Sequence, residues 1–132
     1  MPAQQIKTDK APIPAAPYSQ GVVKNGIVQT SGQTGVDPAT GALAEGLAAQ
    51  TAQTFANLEA ILSAGGASWD DVISMCVYLT EPEHFAEMNA AYETYLRDRL
   101  GADAVLPCRT TIMVTLANPD LLVEIDAMAV LG

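Results

Sequence analysis

An α+β fold, with two helices laid over one face of a β-sheet, is predicted by three observations on this 132-residue sequence. Apolar residues recur at helical spacing in two separate segments, and at alternating spacing in several short ones. The order of these segments reads strand, strand, helix, strand, helix, strand, strand. The length suits a single domain over residues 1–132, with one core built mainly from Ala, Val, Leu and Ile, because aromatics are only 5% of the chain.

The first dozen residues carry Lys7 and Lys10 without an apolar run behind them, which excludes a signal-peptide pattern and leaves them candidates for disorder. Tyr18 to Val23 and Ile27 to Gln33 are β-prone runs, and Asn25-Gly26 between them is a hairpin signal. Gly35 to Gly41 reads as turns. No Gly-Lys-Ser/Thr closes it, so it is not a phosphate-binding loop.

Leu47, Phe55, Leu58, Ile61 and Leu62 mark a helix from Leu47 to Ala64, stopped by Gly65-Gly66. Val72 to Leu79 is a strand with an apolar face (Ile73, Met75, Val77, Leu79) and a mixed one (Val72, Ser74, Cys76, Tyr78). Thr80-Glu81-Pro82-Glu83 has capping-box spacing, so the second helix is expected to start there. Its stripe is Phe85, Met88, Tyr92, Tyr95 and Leu96, and Gly101 is its expected terminator.

Two strands close the chain, Cys108 to Leu116 and Leu121 to Val130, and the Ala117–Asp120 turn suggests that they pair as a hairpin. Two helices can cover only one face of the sheet. The other face is expected to hold Cys76, Tyr78, Thr111, Met113 and Met128 beside Arg109, Glu124 and Asp126. Such a surface is too apolar for solvent and too charged for a closed core, which predicts a homo-oligomer with a pocket at the interface.

Charge narrows the partners. A net charge of −9, with only six Lys and Arg, disfavours nucleic acid and anionic membranes. No apolar stretch is long enough to span a bilayer. Cys76 and Cys108 belong to no metal or redox motif and read as two buried thiols in a reducing cytosol, the expected location. A single His with nothing at ligand spacing argues against a metal, and no cofactor motif is present. His84 itself is assigned no role.

Arg109 is the most informative residue. Its planar, permanently charged fork suits a carboxylate, although an ion pair with Glu124, Asp126 or a neighbouring subunit is the commoner use of such an arginine. Hairpin arithmetic opposes Arg109 to Met128 and sets Glu124 on the same face about 13 Å further along the partner strand. Anchor and base could then reach a small molecule from its two ends. Asp126 is an equal candidate for the carboxylate in use. Tyr18, Ser19, Gln20 and Ser31-Gly32-Gln33 are strand-end polar groups able to donate into a cleft, and Asn89 and Tyr92 lie three apart on the second helix.

Pro17-Tyr18-Ser19-Gln20-Gly21, Thr30-Ser31-Gly32-Gln33, Asn57 to Leu62, Val77-Tyr78-Leu79, Phe85 to Tyr92, Pro107-Cys108-Arg109 and Val123-Glu124-Ile125 occur in an order and spacing that resembles the Rid/YjgF family over nearly the whole chain. The resemblance implies a chorismate-mutase-like α+β fold with a mixed sheet. It implies a homotrimer with an inner barrel of sheets and three clefts between subunits. It also implies cofactor-free hydrolysis of reactive 2-imino (enamine) acids to 2-oxo acids and ammonium. Arg109 would hold the substrate carboxylate and Glu124 would position water, with Tyr18, Ser31, Asn89 and Thr111 lining the cleft. The best-known deaminase subgroup has Cys where this chain has Thr111, so thiol chemistry at that position does not carry over. The competing readings are a non-catalytic carboxylate-binding trimer or regulator, and a pathway-specific deaminase such as an aminomuconate-type enzyme.

Overall fold

The structure, a computed structural model, describes residues 1–132. Its elements in chain order are β1 (Gln4–Ile6), β2 (Gly21–Lys24), β3 (Ile27–Thr30), α1 (Leu47–Ala64), β4 (Val72–Leu79), α2 (Phe85–Leu100), β5 (Cys108–Met113) and β6 (Val123–Val130). The strands form one mixed six-stranded sheet in the order β1-β2-β3-β6-β4-β5. β4 and β5 run parallel; every other neighbouring pair is antiparallel. No helix is long and apolar enough to cross a membrane.

Both helices pack on the same face. Phe55, Leu58, Ile61 and Leu62 of α1 and Met88, Tyr92 and Leu96 of α2 are buried against Val28, Met75, Val77, Leu79, Val123, Ile125, Ala127 and Ala129. Phe55 is the hub, stacked on Tyr95 at 4.3 Å and tilted against Tyr92 and Trp69 at 5.6 and 5.7 Å. Aromatic pairs at these separations add to area burial, which lets few aromatics organise an aliphatic core. The β2–β3 hairpin turns at Asn25 and Gly26, whose φ angles of 52° and 78° match the left-handed turn that strand twist favours. Gly101, at φ 110°, ends α2 as expected.

Four expectations change. Gln4–Ile6 is not disordered but forms the edge strand β1, with Ile6 in the core. Buried Gln20 fixes the segment behind it: its amide accepts from Thr8 N and donates to the carbonyls of Thr8, Ala11 and Pro12. The Thr80–Glu83 capping box does not form; a 3-10 turn at Pro82–His84, without a side-chain cap, leads into α2. The reciprocal cap is instead at Ser68, whose N–H donates to Asp71 at 2.8 Å ahead of β4. A bulge between Val72 and Ser74 turns Ile73 outward, 50% exposed, and puts Val72 in the core.

The fourth change matters most for function. β5 and β6 are not a hairpin: β4 lies between them, pairing in parallel with β5 and antiparallel with β6. The 114–122 connection crosses over the end of β4, where Val114 N donates to Leu79 O and Thr80 N to Leu122 O. Because β4 is the most apolar strand, the central position buries it better than an edge would.

Candidate active site

Cross-strand partners share a sheet face. Arg109 stands beside Met75, and Met75 beside Ala127; all three therefore point to the helix side. Thr111 and Met113 share that side, while Cys108, Thr110 and Ile112 face away from it. This reverses the expected placement of Arg109, Thr111 and Met113. It also separates Arg109 from Glu124, which stands opposite Tyr78 on the uncovered face. Through β4 they are offset by three residues and two strand spacings, about 14 Å between Cα atoms, and they point to opposite sides.

The sequence-selected residues consequently fall into two half-sites. In the first, the half-buried Arg109 donates from Nη2 to Asn89 Oδ1 at 2.6 Å, and its guanidinium carbon lies 4.8 Å from the Tyr92 ring centroid and 5.7 Å from that of Phe85. The chain's two ion pairs are Arg97–Glu93 and Arg99–Glu59, so no carboxylate neutralises Arg109. Thr111, two residues further on the same face, has a buried hydroxyl without a partner. An uncompensated guanidinium and an orphaned hydroxyl are groups that a bound anion would satisfy.

The second half-site is built by the chain around β2, β3 and β6. Ser31 donates from its hydroxyl to Ser19 O at 2.6 Å and from its N–H to Gln20 O, which ties the turn after β3 to the segment holding Tyr18. Gln33 and Ile125 exchange both backbone hydrogen bonds, so the Ser31–Gln33 turn runs alongside β6. At Gly32 any Cβ would overlap the Glu124 carboxylate. The glycine leaves the space that Glu124 occupies. Tyr18, one residue before Ser19, is 51% exposed. Burial raises the Glu124 pKa above the usual carboxylate range, and the nearby Asp126 charge adds to the rise. Asp126 is also raised by burial, partly offset by the Tyr78 hydroxyl that donates to Oδ2 at 3.0 Å.

Five clefts on the surface of the single chain contain neither Arg109 nor Glu124 in their linings. Gln20, considered above as a cleft donor, serves the fold instead, and Gln33 is buried with its backbone tied to β6. Neither thiol is fully buried as expected: Cys76 is half-buried and Cys108 exposed, both free and both on the uncovered face. That face also leaves Ile27, Ile112 and Val130 exposed at 43%, 45% and 43%. Tyr78, to which the sequence reading assigned no role in the site, is the group missed beside Glu124. Its signals were its position on the mixed face of β4 and its place in the Val77-Tyr78-Leu79 segment.

Fold and half-sites together define a small α+β protein that presents a strand arginine and a strand glutamate from a six-stranded mixed sheet. Comparison with known proteins makes the family specific. The profile of the family described as Endoribonuclease L-PSP matches residues 8–131. The chain is 40% identical over 127 residues to a RutC family protein of Aquifex aeolicus, covering 96% of this chain and 98% of that one. It is 38% identical over 128 residues to the 2-iminobutanoate/2-iminopropanoate deaminase of Salmonella typhimurium, covering 97% and 98%. Among solved structures, the E. coli YjgF gene product superposes with a TM-score of 0.89 at 35% identity, over 96% of this chain and 98% of that chain. E. coli TdcF with bound serine gives 0.91 at 34%, over 98% and 99%. The chain belongs to the Rid/YjgF family.

Proposed function

We propose that the protein hydrolyses small reactive 2-imino acids to 2-oxo acids and ammonium, in clefts between the copies of a cytoplasmic homotrimer. The observation that carries this reading is the Arg109 guanidinium, half-buried, oriented by Asn89 and free of any carboxylate. It removes the ion-pair alternative within the chain and leaves a fork available for a substrate carboxylate. The deaminase name of the Salmonella typhimurium relative, and of an E. coli relative at 34% identity, supports the reaction class.

Because Arg109 and Glu124 point to opposite sides of one sheet, a single copy cannot bring both to one small molecule. A second copy can, by seating its uncovered face against the Arg109 edge. In that cleft Arg109 and Thr111 hold the carboxylate, and Asn89 keeps the fork in place. Tyr18, Ser31 and Glu124 come from the neighbouring copy. Glu124 takes a proton as water adds to the imine carbon, forming a carbinolamine. Glu124 returns that proton to nitrogen and takes the hydroxyl proton as the carbonyl forms and the C–N bond breaks; the ammonia released takes up this proton and leaves as ammonium. A protonated imine is already electrophilic, so positioning supplies most of what the reaction needs.

The test is Arg109→Ala in a coupled dehydratase assay that follows 2-aminoacrylate decay. The variant should nearly abolish the acceleration while keeping its oligomer; full activity in a correctly assembled variant would overturn the assignment. A second reading, carboxylate binding without catalysis, is favoured by the serine bound to E. coli TdcF. Glu124→Gln separates the two, since it spares a pure binder and disables a hydrolase. Ribonuclease action, which the family description suggests, fits poorly with a net charge of −9.

A further inference from the structure

Tyr78 is directly opposite Glu124 across β4 and β6, yet its hydroxyl reaches diagonally to Asp126, donating to Oδ2 at 3.0 Å. Asp126 is two residues from Glu124 on the same face, so the two carboxylates lie within about 7 Å along the strand. Glu124, held over Gly32, has no hydrogen-bond donor within the chain. The phenol could serve either acid and is committed to one.

Within its own chain this pair has no compensating cation; Arg109 of a neighbouring copy, which the proposed cleft brings opposite Glu124, is common to the wild type and the variants below. From β4, Tyr78 and Cys76 face it; from β3 and the turn after it come Gln29, Ser31 and Gly32, which carry no charge. From β5, one strand further, Cys108, Thr110 and Ile112 share the face. The nearest lysine on this face is Lys24, opposite Ile27 at the Val130 end of β6, remote from Glu124. Two coupled carboxylates lose their protons in sequence, and a single donor decides the order.

We propose that Tyr78 and Asp126 are positioning residues that set the protonation of Glu124: the tyrosine proton secures the Asp126 charge, and that charge keeps the proton on Glu124. The effect rests on the reading of Glu124 as the base given above. It provides a stronger base than a free carboxylate, one that takes a proton more readily from water and returns it to the leaving nitrogen. The raised pKa of Glu124, caused by burial first and Asp126 second, agrees with this geometry.

The test is a carbon-13 NMR titration of the Glu side-chain carboxyls in the full-length protein, with the Glu124 resonance assigned by its loss in Glu124→Gln. Asp126→Asn removes the charge. Tyr78→Phe keeps the ring but withdraws the donor, so that Asp126 no longer ionises first. Each should lower the Glu124 midpoint by about half a pH unit or more, and the acidic limb of the kcat/KM profile should move with it. An unmoved Glu124 midpoint in either variant overturns the proposal, as a purely structural tyrosine would leave it in place. Wild-type turnover by Glu124→Gln would instead refute Glu124 as the base, while the titration still decides the coupling.

Discussion

Arg109→Lys separates a positive charge from a fork of donors. In the structure Arg109 gives one Nη2 hydrogen to Asn89 at 2.6 Å and stands 4.8 Å from the Tyr92 ring centroid. Its remaining donors are free for a carboxylate, which a guanidinium can grip with two parallel bonds. Lysine keeps the charge, but its single ammonium cannot hold Asn89 and both carboxylate oxygens in the same plane. Losing one charge-assisted hydrogen bond costs about 1.5–3 kcal/mol, equivalent to a loss of about 10- to 150-fold in kcat/KM. The assay is steady-state hydrolysis of imines generated in situ by an amino-acid oxidase, with size-exclusion chromatography to confirm assembly. If a properly assembled Arg109→Lys variant keeps wild-type kcat/KM, a point charge suffices and the fork argument is wrong.

Four further outcomes follow from the geometry. Gly32→Ala introduces a Cβ into the space of the Glu124 carboxylate, so turnover should fall at least tenfold while the circular dichroism spectrum stays that of the wild type; unchanged turnover would show that Glu124 need not sit there. Gln20→Ala strands the Thr8 N–H and three carbonyls that the buried amide now serves. Chemical denaturation should report a loss of about 2–4 kcal/mol, at 1–3 kcal/mol for each group left wanting and some of them reached by water. Phe55→Ala removes the ring at the centre of the aromatic cluster and should cost about 3–5 kcal/mol by the same measurement. At Glu59, burial works to raise the pKa, but donors from Arg99, Trp69 and Tyr95 outweigh it and leave the pKa lowered from 4.5. A carboxylate depressed in the folded state contributes stability above its unfolded pKa and loses it as the pH falls through the folded value. The wild-type advantage over Glu59→Gln should therefore be present at pH 7 and shrink below pH 4.5.

Much of the fold was legible because hydrophobic spacing records burial. α1 from Leu47 to Ala64 and β4 from Val72 to Leu79 have the bounds that periodicity gives, and the Asn25-Gly26 turn is fixed by its own backbone chemistry. What periodicity cannot encode is which strand lies next to which. Strand alternation sets Arg109 and Thr111 on one face and Cys108 and Thr110 on the other, but alternation does not say which set faces the helices. That depends on β4 entering between β5 and β6, a long-range arrangement that the short 117–120 turn disguised. β1 was missed for a related reason. Three residues with one buried side chain leave little pattern, and the segment is held by Gln20, whose role depends on tertiary contacts.

Correcting the strand order strengthens the argument for a shared site. With Arg109 and Glu124 on one face, as hairpin arithmetic gave, one chain would hold both ends of a substrate and association would be incidental to catalysis. On opposite faces, the arginine half-site is incomplete without a carboxylate base, and the glutamate half-site lacks a cation. A face exposing Ile27, Ile112 and Val130 supplies the apolar drive for association. In the proposed trimer, dilution below the assembly midpoint would disable both halves together, even with each chain still folded. Mixing Arg109→Ala with Glu124→Gln gives a sharper form of the same logic. Each homotrimer has only damaged clefts, whereas a mixed trimer contains clefts whose Arg109 and Glu124 are both intact. Recovered activity on mixing and reassembly, absent from either variant alone, is the expected outcome. A mixture as inactive as its parents would place both residues in one chain's own site, which the sheet geometry forbids.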